Sequence, residues 1–485
     1  LSEINPYEPA DAKSKPTTDS GPLSDQYNMR FLGLICFVAA MGGLLFGYDW
    51  VVIGGAKPFY EPYFEISDSP LLQGWAMSSA LVGCLVGAVV SGILADRLGR
   101  KRLLILSGFL FTLSAIGTAL SSDFTWFNLF RLIGGGGIGL ASNLSPMYIA
   151  EISPAATRGR FVSINQLTIV VGILAAQLVN MMIAQEVSDN ATVEMIRQSW
   201  NGTDGWRWMF AAETVPAAAF FLLMFFVPES PRWLIKDGQN DRARGVLAKV
   251  GGEAYAKAEV DDIQQTLGQE EISQVHYSDL LESKVLKILA LGVFLAVFQQ
   301  WCGINVIFNY AQEIFAAAGY GVGAIMFNIV ITGIVNLVFT FVAIFTVDKF
   351  GRRGLMLLGS GGLAIIYAIL GASYYSETRG VFMLVLVVSA IACYAMSLAP
   401  VTWVVISEIF PNRIRGAAVA VSVFSLWLAC TALTFSYPLL NQALGVHGTF
   451  WLYGAVCLLG FFVIFWKLPE TKGKSLEQIE REIIS

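Results

Sequence analysis

The chain has 485 residues, 55% of them hydrophobic and only 14% charged, with a net charge of −5. So few charges cannot coat a soluble core of that size, and their balance gives no ground for binding nucleic acid. Two His and six Cys, none in a C-x-x-C pair, exclude a zinc site, a histidine-centred catalytic triad and a disulfide framework.

A polytopic membrane protein remains. A helical bilayer crossing needs about 20 apolar residues. Residues 1–29 are polar and contain proline, which reads as a disordered tail rather than a signal peptide, since no apolar stretch precedes Phe31. Apolar spans follow near 31–53, 72–95, 102–121, 124–148, 161–184 and 206–227. Residues 229–284 are rich in Lys, Arg, Asp and Glu and read as a water-exposed helical linker. Further spans lie near 285–312, 323–347, 354–374, 380–405, 416–440 and 446–467, and 469–485 form a tail. The predicted fold is an all-α membrane protein, with twelve transmembrane helices in two six-helix bundles, 30–228 and 285–468.

Lys and Arg in short loops set orientation. Arg97, Arg100, Lys101 and Arg102 share one face with Arg158, Arg160, Lys349, Arg352, Arg353, Arg413 and Arg415. That face, both termini and the linker are expected in the cytoplasm. The opposite face carries Lys57, Arg197 and Arg379, with Glu61, Glu65 and Asp68 expected to be solvated in the first external loop.

The two halves repeat. Asp96-Arg97-Leu98-Gly99-Arg100 is echoed by Asp348-Lys349-Phe350-Gly351-Arg352, and Glu151 with Arg158 and Arg160 by Glu408 with Arg413 and Arg415. Pro228-Glu229-Ser230-Pro231-Arg232 closes one half and Pro469-Glu470-Thr471-Lys472-Gly473 the other. Halves repeated in the same orientation imply an axis along the membrane normal and a rocking, alternating-access motion. The repeated charges are expected to form a cytoplasmic gate by reaching across to the neighbouring bundle.

Three charges lie inside spans of the first half: Asp49, Arg131 and Glu213. An intramembrane carboxylate is functional by default. A nearby cation favours an ionised carboxyl and burial a neutral one, so a change of contacts between states lets a proton bind or leave. Neutral polar residues also recur inside spans: Gln166, Gln299, Gln300, Asn305 and Asn336. Their spread over both halves points to a polar ligand rather than to helix–helix hydrogen bonds alone. Gly303 permits a local break in the seventh span.

Together these motifs resemble the sugar porter family of the major facilitator superfamily, from about Phe31 to Gly473. The likeness is greatest to bacterial proton-coupled D-xylose transporters and weaker to facilitative glucose transporters. The resemblance implies a monomeric multi-pass protein of the inner or plasma membrane that carries a neutral monosaccharide with a proton. It implies no enzyme activity, metal or organic cofactor. It makes Asp49 the proton site, Arg131 its partner and Glu213 the support of the arginine. Gln166, Gln299, Gln300, Asn305 and Asn336 match sugar ligands, and Trp403 a stacking floor. Phe46, Phe308, Asn309, Tyr310, Leu426 and Trp427 are candidates for the pocket or an external gate. Asn309-Tyr310 replaces a Tyr pair common in the family, and Leu426 and Cys430 replace an amide on each side of Trp427 in the xylose transporters. A facilitative uniporter and a non-transporting sugar receptor stay open as alternatives.

Overall fold

The computed structural model describes residues 27–188, 191–272, 283–410 and 414–472. The expected tails over 1–26 and 473–485, linker residues 273–282, Arg413 and the side chain of Asp348 lie outside the described residues.

The first half opens with α1 (Met29–Tyr63), α2 (Pro70–Leu98), α3 (Arg100–Leu120), α4 (Phe124–Ile152) and α5 (Ala155–Ile183). A short α6 (Val193–Gln198) precedes a broken sixth crossing: a π turn at Asn201–Gly205, α7 (Trp206–Ala211) and α8 (Thr214–Leu223). Pro216 causes the interruption at Ala212–Glu213, because it has no N–H for the Ala212 carbonyl and its ring crowds that oxygen. The linker holds α9 (Pro231–Lys236) and α10 (Asn240–Ile272), the latter kinked at Gly251 and Gly252. Trp233, Leu234, Ile235 and Ala243 give it a small core of its own.

The second half begins with a seventh crossing in three pieces: α11 (Ser283–Trp301), α12 (Ile304–Asn309) and α13 (Ala311–Ala317). Gly303 is left-handed at φ +86°, as a local break there requires. Next come α14 (Val322–Phe350), α15 (Arg352–Tyr375), α16 (Val381–Ala395), α17 (Leu398–Glu408) and α18 (Arg415–Lys467). Pro400 splits α16 from α17 as Pro216 splits the sixth crossing. The 53 residues of α18 would extend about 80 Å as one helix, far beyond a bilayer core. Gly445, at φ +68°, divides them into two crossings.

Among the described residues, nine helical segments are long and apolar enough to cross a membrane. With α18 counted twice, α4 and the broken sixth crossing complete twelve. The glycine run, Asn128, Arg131 and Asn143 lower the hydropathy of α4.

The first helix runs ten residues past its expected end, through Pro58 and Pro62. Phe59 and Tyr60 are fully buried there, and the Tyr60 ring lies 5.1 Å from that of Phe127. Packing on all sides overrides the prolines. This places Glu61 inside the helix and 7% exposed, which corrects the expectation of a solvated loop residue. Glu65 is exposed and pairs with Arg197 at 2.6 Å, and Asp68 is exposed, both as expected.

The halves touch at the end opposite the basic loops. A Cβ on Gly54 of α1 would meet the Asn309 carbonyl at 2.9 Å. Gly74 of α2 lies against the Phe435 carbonyl of α18, and Gly333 of α14 against the Gln177 side chain of α5. Toward the basic end the same faces part. Gly92 sits five turns after Gly74 on one face of α2, is exposed, and a Cβ there would meet nothing within 4 Å. Gln166 sits three turns before Gln177 on α5 and is exposed. The space between the halves therefore widens toward the basic loops.

Candidate functional site

α1, α4 and the break in the sixth crossing bring Asp49, Arg131 and Glu213 together, at 1%, 2% and 3% exposure. Arg131 Nη1 donates to Asp49 Oδ1, and its Nη2 donates to the Asp49 carbonyl at 3.4 Å. The guanidinium sits 5.5 Å from the centre of the Phe210 ring. Glu213 interacts electrostatically with both partners. Gly134 lets the carboxylate approach α4, since a Cβ there would lie 3.2 Å from Asp49 Oδ2. Asp49 Oδ2 and Glu213 Oε1 are buried without a hydrogen-bond partner among the described residues. A small cavity flanks the pair, bounded by Trp50, Met77, Leu81 and, from the second half, Asn309.

In the second half the amides form a chain. Asn305 Nδ2 donates to Gln300 Oε1 at 2.5 Å, Gln300 Nε2 to Gln299 Oε1 at 2.5 Å, and Gln299 Nε2 to the Tyr394 hydroxyl at 2.7 Å. Each amide spends one N–H in the chain and keeps another, along with spare lone pairs, for a polar ligand. Gln299 and Gln300 are buried, Asn305 is half-buried beside Cys430 Sγ at 3.8 Å, and Asn336 is buried on α14. Asn309 is buried with Oδ1 unpartnered among the described residues.

Three rings gather between the halves. Phe46 and Trp50 of α1 and Trp427 of α18 stand 5.8–6.1 Å apart, centroid to centroid, and span both halves. Leu426 is buried next to Trp427. Trp403 is 41% exposed on α17 and takes part in none of the described ring pairs. The structure does not bring it to the plate. Phe308 is buried with its carbonyl against Gly54. The Tyr310 hydroxyl donates to the Thr434 carbonyl at 2.6 Å. Pro438 deprives that carbonyl of its helical donor, and the tyrosine replaces it.

Residues 35–483 match the model of the family described as sugar (and other) transporter. The chain belongs to the sugar transporter family. It is 39% identical over 461 residues to the arabinose-proton symporter of Bacillus subtilis, covering 95% of this chain and 97% of that one. It is 39% identical over 488 residues to the D-xylose-proton symporter of Escherichia coli K12, covering 94% and 97%. Its fold matches the inward open conformation of the xylose transporter XylE from E. coli with a TM-score of 0.80 and 37% identity, over 93% of this chain and 99% of that one. The expected fold, two six-helix bundles of the major facilitator type, is the fold of this transporter.

The repeated motifs build one device twice in this sugar transporter. Glu229 accepts from the backbone N–H groups of Arg100 and Lys101 at 3.0 Å each, and Glu470 from those of Arg352 and Arg353 at 2.9 and 3.2 Å. Each glutamate thus caps the third helix of its half, where the positive end of the helix dipole favours an anion. Glu151 pairs with Arg100 at 2.8 Å and accepts from Ser230 at 2.5 Å; Glu408 pairs with Arg352 at 3.4 Å and accepts from Thr471 at 2.6 Å. Asp96 pairs with Arg100 and Lys236, the Lys349 carbonyl accepts from Lys472, and Arg415 donates to the Phe410 carbonyl. Arg97, Arg158 and Arg160 are exposed, and Arg232 is half-buried. These pairs join residues of one half or of that half and the linker, whereas the sequence suggested contacts across the halves. The halves stand apart at this end, and Arg100 and Arg352 pair with acids of their own bundle. Glu470→Ala should lower stability by about 1–2 kcal/mol through loss of the cap, read as a lower Tm in detergent.

Three features escaped the sequence. Tyr394 and Trp50 are aromatic residues within spans, where packing is the default role. Lys57 and Glu313 lay near span ends, where loop charge is the default reading. The usable signal was Phe46 and Trp50 at helical i, i+4 spacing beside Asp49.

Proposed function

We propose that the chain is a proton-coupled monosaccharide symporter, for D-xylose or a related pentose or hexose, working by alternating access. The basic end is the cytoplasmic one, with both termini there, and the halves are the bundles 30–228 and 285–468. The supporting observation is the buried Asp49–Arg131 pair at the wall of a cavity that Asn309 of the other half helps to close.

Asp49 is the proton carrier. With the carboxyl ionised, Arg131 holds it. With the carboxyl protonated, the guanidinium turns to Glu213, which already lies within electrostatic reach. The carboxyl trades the arginine for a proton, and Glu213 Oε1, which has no hydrogen-bond partner among the described residues, is open to the guanidinium. The sugar is held from the second half by the amide chain and from both halves by the Phe46–Trp50–Trp427 plate, with Gln166 and Asn336 adding polar contacts where the cavity widens. Because Trp50 follows Asp49 directly, a sugar that moves the plate also moves the proton site.

Uptake of labelled xylose, glucose, galactose and fructose into vesicles, with and without an imposed pH gradient, tests the reading. Accumulation of at least one sugar only with the gradient is expected. Equal uptake in both conditions means a uniporter, and transport of none removes the pocket assignment.

A further inference from the structure

We propose that Lys57 is the latch of the external gate: it clamps α1 to α13 of the other half, and Glu61 receives it when the halves part. Lys57 is 2% exposed and donates to Glu313 Oε1 across the interface. One helical turn on, Glu61 Oε1 lies 2.8 Å from the same ammonium. The ammonium also stands 5.6 Å from the centre of the Tyr310 ring, which is fixed by its hydroxyl on Thr434 and packs 4.3 Å from the Tyr437 ring. The cluster lies at the end where Gly54 meets the Phe308 and Asn309 carbonyls, so it belongs to the seal itself.

The segment it grips is built to move. α12 and α13 have six and seven residues, bounded by left-handed Gly303 and by Tyr310 at φ −121°. Neither piece carries enough of a helical ladder to hold its own direction. A charge clamp at the far end of such a segment decides whether it lies against α1.

Glu61 gives the clamp its second property. A buried lysine that lost its only partner would leave an uncompensated charge, and opening would be blocked. Glu61 is on the same helix as Lys57 and travels with it. The ammonium therefore exchanges two carboxylates for one and stays paired, so the latch can release without stranding a charge. The inference rests on the two halves moving against each other, not on proton coupling.

Nitroxide labels at Asp68→Cys and Ala317→Cys, both exposed positions on opposite sides of the seal, report the gate distance. Lys57→Met and Glu313→Gln should each raise the ratio of long to short distances on the order of tenfold. The exchange Lys57→Glu with Glu313→Lys keeps the composition of the cluster and should restore the short distance. Glu61→Gln should shift the ratio the other way. Far-UV circular dichroism and gel filtration select folded variants, and each single variant stands in if the other misfolds. Unchanged ratios in the folded single variants, or an exchange that behaves like them, overturn the latch. The distances need no pH gradient and no labelled sugar, so failure here is separate from failure of the symport reading.

Discussion

Vesicles carrying Asp49→Asn will equilibrate sugar but never concentrate it. A proton crossing the full field supplies about 2.3 kcal/mol per 100 mV, enough for roughly fifty-fold accumulation. The parent protein should approach that ratio, and the variant should stay at unity at every gradient. The reason is local. Asp49 is the acid that Arg131 holds, it has a free oxygen, and it faces the cavity between the halves. Asparagine keeps the shape and a hydrogen-bond acceptor but cannot exchange a proton. Sugar–sugar counterflow, which needs rocking but no proton, should persist and shows that the variant is folded. Acidifying the outside should speed uptake by the parent, because the carboxyl loads its proton there, and should leave the variant unmoved. Accumulation by the variant would move the proton site elsewhere.

Gln300→Ala should weaken sugar binding by about 1–3 kcal/mol, or roughly 5- to 150-fold in Kd. Gln300 is the middle link of the amide chain: it accepts from Asn305 and donates to Gln299. Its removal should take away one proposed ligand and free both neighbours to turn away from the sugar. Calorimetric titration in detergent measures the loss. The proton-to-sugar ratio should be unchanged, since Asp49 and Arg131 lie in the other half. An unaltered affinity would place the sugar away from this chain of amides.

Much of the site was legible because charge inside an apolar run has few innocent explanations. Asp49, Arg131 and Glu213 stood out, and the structure groups them. Gln299, Gln300 and Asn305 stood out for the same reason, and they form one hydrogen-bonded line. Trp403 and Lys57 show where that reasoning ends. An aromatic side chain in a span has many packing roles, and the ring cluster of Phe46, Trp50 and Trp427 became visible only in three dimensions. Lys57 and Glu61 looked like loop charges because they lie beyond the apolar run ending near 53, yet α1 continues through Pro58 and Pro62 to Tyr63.

Composition and the apolar runs established a bilayer protein, since burial of backbone in lipid requires long helices and each span must announce itself by length, and the echoed charged motifs established two repeated halves. The repeated acidic and basic motifs followed from the same duplication. The partners of those charges and the end at which the halves meet came from packing. Such contacts join residues far apart in the chain, and their energies depend on the distance and desolvation that three-dimensional placement sets.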